Sequence, residues 1–298
     1  MTLTVEEALA RVPMWQGAND LHVSPLEGGI TNRNYRVDTG GKSFHLRLSG
    51  ENTELLGIHR EHEYQANLLA GELEIAPEVI YCIRPEGYLV TRFISGRPVP
   101  AQELREPMNL QRVVETLHKI HSMPNIPGTF SAFRVVRAYA EIARQYRVAF
   151  PENFRWLFHQ MMEAETALLS RSIIQHPCHN DLLNANFLLA DKLYILDWEY
   201  AGMGDIVFDL ANFSNNHELS EGEGEFLLEC YFGKVTPRNL AHFNIMKIMS
   251  DFREAMWGLV QLGISKLDFD FRAYADKHFE RLTENALNPD WEAWLKEF

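Results

Sequence analysis

The chain has 298 residues, 46% of them hydrophobic, enough to bury one large core or two unequal lobes that share a cleft. Its formal charge of −13, from 28 Lys and Arg against 41 Asp and Glu, argues against nucleic acid or an anionic membrane as the main partner and favours a cationic small molecule. No stretch approaches the roughly 20 apolar residues of a spanning helix, the opening MTLTVEEALARVPMW has neither a signal peptide's apolar core nor an anchor's, and Cys82, Cys178 and Cys230 lack metal or disulfide spacing, so stable membrane insertion is not expected and a reducing cytoplasm is.

Strand and turn signals fill the first hundred residues. Val23 to Ile30, Asn34 to Val37, Ser43 to Leu48 and Tyr88 to Ile94 read as strands, broken at Gly28-Gly29 and Gly40-Gly41, with a helix over His59 to Leu69. The turn former Ser95-Gly96-Arg97-Pro98-Val99-Pro100 reads as a linker, which divides the chain into 1–95 and 96–298. Beyond it, apolar residues at three and four spacing predict helices over Met108 to His121, Phe133 to Val148, Glu152 to Ser170, Glu223 to Phe232, Arg238 to Leu262 and Phe269 to Leu287. Phe187 to Ala190 and Leu193 to Leu196 are two short apolar strands joined at Asp191-Lys192.

The chemistry concentrates between Cys178 and Asp209. His179-x-Asp181-x-x-x-x-Asn186 precedes Asp197 by eleven residues, counted from Asn186, and the hairpin between them returns Asp197 beside Asn186. That spacing suits phosphoryl transfer: a carboxylate, Asp181, to orient a hydroxyl nucleophile, and an amide with a carboxylate, Asn186 and Asp197, to hold Mg2+ on ATP through hard oxygens. A lone Asp more commonly caps a helix or ends a strand, but several spacings coincide here. His179 is better read as a scaffold of this loop than as a base. A Cys178-His179 dyad is disfavoured because neighbours on an extended strand point to opposite faces. His118 and His121, at i and i+3, lack a carboxylate pattern and read as surface or packing residues.

A strand-rich lobe followed by a helical one is a kinase-like order, and other parts then fall into place. Gly28, Gly29, Thr31 and Asn32 form a turn able to set backbone N–H groups and a side chain against phosphates, although a Gly-Gly turn alone is more commonly just a hairpin. Phe44-His45-Leu46-Arg47-Leu48 alternates, with His45 and Arg47 on one face. Arg47 is the candidate phosphate cation and Glu63 its partner, with Glu61 competing for that role. Leu89 to Ile94, including Thr91 and Phe93, would be the hinge that meets adenine.

At these motifs the chain resembles the choline and ethanolamine kinases within the wider aminoglycoside-phosphotransferase-like group. HNDLLNAN resembles the catalytic loop of that family, LDWEYAGMGDIVFDLAN its metal segment, and GGITNRNY with LRLSG its nucleotide loop and phosphate strand. The resemblance implies an α+β, two-lobed protein-kinase-like fold: a small N-terminal antiparallel-sheet lobe with one helix, then a larger helical lobe. It also implies transfer of the γ-phosphoryl of ATP to choline, with ethanolamine, thiamine or an aminoglycoside as alternatives, in a protein that leaves room for a homodimer. Carried over by position, the aromatic cage for the ammonium falls on Tyr200, Trp257, Phe269 and Tyr274, and aromatic faces do suit a cation that has no N–H to donate. Three positions depart from the family pattern: Val260 stands where a second Trp is common, Leu183 where Gln is, and Asn216 where a carboxylate is expected. Glu199 is left with two readings, negative charge near the ammonium or a second metal contact. A protein-kinase reading fails, because no Asp-Phe-Gly leads into a segment ending in Ala-Pro-Glu.

Overall fold

The apolar residues of Phe44-His45-Leu46-Arg47-Leu48 do face one way, and the first sheet is built on them. The computed structural model describes residues 3–27, 32–169 and 174–298, so Gly28, Gly29 and Thr31 lie outside the described residues. After a short helix α1 (Val5–Ala10), capped by Thr4 with Glu7 in a reciprocal capping box, come β1 (His22–Leu26), β2 (Arg33–Thr39), β3 (Lys42–Leu48), helix α2 (Arg60–Glu72), β4 (Val79–Ile83) and β5 (Tyr88–Arg92). They form an antiparallel sheet in the order β1-β2-β3-β5-β4. Phe44, Leu46 and Leu48 pack with Val37, Ile83, Val90 and Trp15 in one buried cluster. Full burial of such a side chain contributes about 1.5–3 kcal/mol.

The rest of the chain is mostly helical. A two-residue strand β6 (Arg97–Pro98) leads into α3 (Ala101–Leu104), α4 (Pro107–His121), α5 (Ala132–Gln145), α6 (Phe154–Leu169) and strand β7 (His176–Cys178). After β8 (Phe187–Leu189) and β9 (Leu193–Ile195) come β10 (Gly202–Gly204), α7 (Ile206–Asn216), α8 (Glu221–Phe232), α9 (Pro237–Ile264), α10 (Phe271–Ala286) and α11 (Trp291–Leu295). Starts of the long helices follow local chemistry: Asp205, Ser220, Thr236 and Asp270 each accept a backbone N–H at their helix's first turn, and Pro237 occupies a position where its missing donor costs nothing. The 28-residue α9 packs against α5, α7 and α10 and is buried without a break from Ile248 to Gln261.

The two compact units are Met1–Val99 with Ala185–Tyr200, and Pro100–Asn184 with Ala201–Phe298. This differs from a single cut between 95 and 96. The β8–β9 hairpin pairs with β6, and the Ile195 N–H donates to the Ile75 carbonyl at 2.8 Å, so a segment distant in sequence completes the first unit. Several elements went unread in the sequence: β4 is an unbroken apolar run with no alternation, and α7 buries even its polar residues Asp209, Asn212 and Asn215. No described helix is long and apolar enough to cross a membrane.

Candidate active site

In the first unit, β3 and the start of α2 bring opposite charges together. Arg47 is 6% exposed and pairs with Glu63, which is 1% exposed, while its second nitrogen donates to Asp197 Oδ1 at 2.6 Å. Arg60 donates to the other Glu63 oxygen at 2.6 Å and to Glu199 Oε2 at 3.2 Å. The competing Glu61 faces solvent and pairs with Arg84, so Glu63 is the residue that meets Arg47. Asn32 reaches the same group through a long contact with Glu199 and accepts the Gly50 N–H at 3.3 Å.

The β8–β9 hairpin behaves as its sequence predicts: the Leu196 N–H donates to the Asn186 carbonyl at 2.8 Å, which sets Asp197 next in line with φ at +63°. Asn186 is buried, and carboxylate oxygens of Glu63, Asp197 and Glu199 lie within 4.8 Å of one another. Both Glu63 oxygens are taken by Arg47 and Arg60, so of these Asp197 and Glu199 could offer hard oxygens to a magnesium ion, in the field of arginines that a nucleotide's phosphates would also attract. Burial, then the neighbouring Asp197, pushes the Glu199 carboxyl up. His45, beside Arg47 on β3, is lowered to about 4 by burial and by that arginine, so it is neutral and serves as a hydrogen-bond partner of Asn34 at 3.1 Å. Thr91 is buried opposite His45, and the Phe93 N–H is bonded to the Ser43 carbonyl at 3.1 Å, with Arg36 stacked over its ring. Tyr200, half-buried, is the last residue of this unit.

In the second unit, the loop after β7 is held by α7. The Asp209 carboxylate accepts the backbone N–H groups of His179 at 2.8 Å and Asn180 at 2.7 Å, and also His121 Nε2 at 3.1 Å. Asn212 accepts the Leu182 N–H at 2.6 Å, and His179 Nδ1 accepts the Asp181 N–H at 3.3 Å. His179 is therefore a strut of the loop. His121 is buried and bonded, not a surface residue, with Tyr231 OH on its other nitrogen at 2.6 Å. Cys178 lies near His121 and Asp209, but burial and Asp209 raise its thiol, which favours the protonated form over a metal-binding thiolate.

Asp181 is 6% exposed and takes a hydrogen bond at 2.8 Å from Arg253 on α9. On the same helix, Glu254 pairs with Arg253 and accepts Tyr274 OH at 2.7 Å. Trp257, one turn further, meets Tyr274 edge to face at 5.4 Å between centroids, and Phe269 meets Tyr274 at 6.1 Å. Gly258 permits this approach: a Cβ there would lie 3.1 Å from Tyr274 Cδ1. Burial and the Glu254 carboxylate hold the Tyr274 hydroxyl well above its usual range, so it stays a donor. Three of the four cage positions thus form one aromatic surface in this unit, with Phe269 41% exposed at its edge. Arg253 and Glu254 were missed in the sequence. Their one signal was two adjacent charges inside the apolar stretch of a long helix, which looks like a solvated face until the helix is seen to be buried on all sides.

The family model described as "Phosphotransferase enzyme family" matches residues 22–239. Protein LicA of Haemophilus influenzae is 30% identical over 244 residues, covering 78% of this chain and 70% of that protein. A choline/ethanolamine kinase family protein from Mesorhizobium loti has a solved structure that superposes with a TM-score of 0.83 at 28% identity, covering 97% and 96% of the two chains. Choline kinase LicA of Streptococcus pneumoniae shares the fold at a TM-score of 0.78 and 24% identity over 90% and 94%. A LicA solved in complex with AMP does so at 0.77 and 22% over 98% and 100%. The α+β, protein-kinase-like expectation holds.

Proposed function

The chain belongs to the phosphotransferase enzyme family, and from that premise we propose that it is an ATP-dependent kinase that phosphorylates the hydroxyl of choline. The observation that carries the substrate is the aromatic surface of Trp257, Tyr274 and Phe269 on the unit that also holds Asp181. Each aromatic face in contact with an ammonium contributes about 0.5–2 kcal/mol. In this reading Asp181 orients the hydroxyl and accepts its proton, and the aromatic surface fixes the cationic end. Arg47, steadied by Glu63, contacts the phosphates, with the segment around Asn32 and the strand holding Thr91 and Phe93 on the nucleotide side. Magnesium, bound through Asn186 and Asp197 with Glu199 as a further oxygen, would supply charge neutralisation at the transferring group. Catalysis of this kind is positioning and electrostatics, which is what the struts of the Asp181 loop provide.

Ethanolamine is the second reading, and one observation favours it. Val260 removes an aromatic from the cage while Glu254 adds a buried carboxylate beside it, and a primary ammonium can donate hydrogen bonds where a trimethylammonium cannot. ADP release should be followed with magnesium and ATP across choline, ethanolamine, thiamine and kanamycin. Selective turnover of choline is the expected result; turnover of kanamycin alone would overturn the reading. Loss of one aromatic face in Trp257→Ala should raise the choline KM about 2- to 30-fold and leave the ATP KM within about twofold. Equal changes in both constants would show that Trp257 serves the fold instead.

A further inference from the structure

Arg253 and Glu254 stand side by side in the middle of α9 at 1% and 2% exposure, where no water reaches a charge. Such groups persist only when paired. Their partners lead in two directions. Arg253 Nη1 donates to Asp181 Oδ1 at 2.8 Å, and Glu254 Oε2 accepts Tyr274 OH at 2.7 Å, so one chain of hydrogen bonds runs from an aromatic of the cage through Glu254 and Arg253 to the proposed base. Two buried carboxylates share the one guanidinium.

We infer that Arg253 is a positioning residue that holds Asp181 in its working orientation, and that Glu254, fixed by Tyr274, holds Arg253. The inference rests on the kinase reading for the role of Asp181. A carboxylate on a loop turns freely about its side-chain bonds, and a guanidinium nitrogen held between two carboxylates fixes one of its oxygens in place and direction. Among the described residues, the groups near Asp181 include Arg253 and Glu254 from α9, Tyr274 from α10 and the His179 ring from its own loop. Because Tyr274 is both cage wall and end of the chain, a substrate that displaces it shifts the base as well. Choice of alcohol and efficiency of transfer are thereby coupled through residues that do not touch the reacting atoms.

The test uses the full chain with magnesium, ATP and the alcohol it turns over best. Arg253→Gln should lower kcat about 30-fold or more while the ATP KM stays within about twofold. Removing the cation makes Asp181 easier to protonate, so the acid limb of the kcat profile should move to higher pH by about 1–3 units. Arg253→Lys keeps the charge and loses the planar guanidinium that holds both carboxylates, and should recover part of kcat and return the limb toward wild type. Glu254→Gln should lower kcat about 10-fold with the limb unmoved. Wild-type kcat and an unmoved limb in Arg253→Gln would overturn the inference. So would a thermal-stability loss in Lys and Gln alike with no change of kcat in the protein that remains folded. If Arg253→Gln does not fold, the Lys and Glu254→Gln variants carry the kcat reading, and wild-type kcat in both overturns it. A carboxylate-labelled carbon NMR titration of Asp181, assigned with Asp181→Asn, reads the same shift without turnover. Failure of the wild-type protein to phosphorylate any alcohol would therefore count against the kinase reading, while an unmoved Asp181 titration in Arg253→Gln would count against this one.

Discussion

Asp181→Asn should lower kcat by about 100- to 10,000-fold, the range that removal of a positioned general base produces, while ATP still binds with an affinity within about twofold of wild type. The change keeps the size of the side chain and removes its charge. Arg47, Glu63, Asn186 and Asp197, the proposed nucleotide and metal residues, belong to the other unit and keep their own bonds. Calorimetric titration of a nonhydrolysable ATP analogue with magnesium, beside single-turnover kinetics, separates the two effects. A variant that retained a tenth or more of wild-type turnover would remove Asp181 from the role of base. The Asn oxygen can still accept from Arg253 but no longer carries the charge that pairs with it, so a modest change in alcohol KM is expected with the large change in kcat.

The second large effect is on stability. Asp209→Ala strips the acceptor from two backbone N–H groups and from His121, all buried. A buried donor left without a partner costs about 1–3 kcal/mol, so a loss of about 3–5 kcal/mol is expected. In a protein of this size that lowers Tm by about 6–15 °C. Differential scanning calorimetry checks it, and a fall of less than about 2 °C would show that water or another side chain replaces the carboxylate. The same substitution should depress kcat, because the loop that carries Asp181 hangs on those bonds. Asp209→Asn is the instructive companion: it retains one acceptor oxygen, so its Tm should lie between wild type and Ala.

Much of this site could be read along the chain because its parts are close in sequence. The loop from His179 to Asn186 and the hairpin that brings Leu196 back to Asn186 involve short spacings, and local turn chemistry sets their geometry. Arg47 emerged from strand alternation, which predicts side-chain faces well. Other elements had no such local signature. The helix Ile206–Asn216 supplies Asp209 and Asn212 to the loop, but along the chain their three-residue spacing reads as a solvated face, and only the fold shows it buried. Of the surface and packing readings of His121, burial selects packing, but its partner Asp209, 88 positions away, could not be read locally.

Spacing along the chain carries the chemistry and the order of its parts: a carboxylate, an amide and a second carboxylate at the spacing for phosphoryl transfer, an arginine strand before them and aromatics after. Backbone geometry over a few residues constrains those spacings. Which charges meet follows from packing. Glu63 rather than Glu61 pairs with Arg47 because one side of α2 is buried and the other is wet. Arg253, 72 positions from Asp181, becomes the neighbour of the proposed base because a long buried helix delivers it there. Buried charges must find partners, and which partner lies within reach depends on packing that no local spacing records.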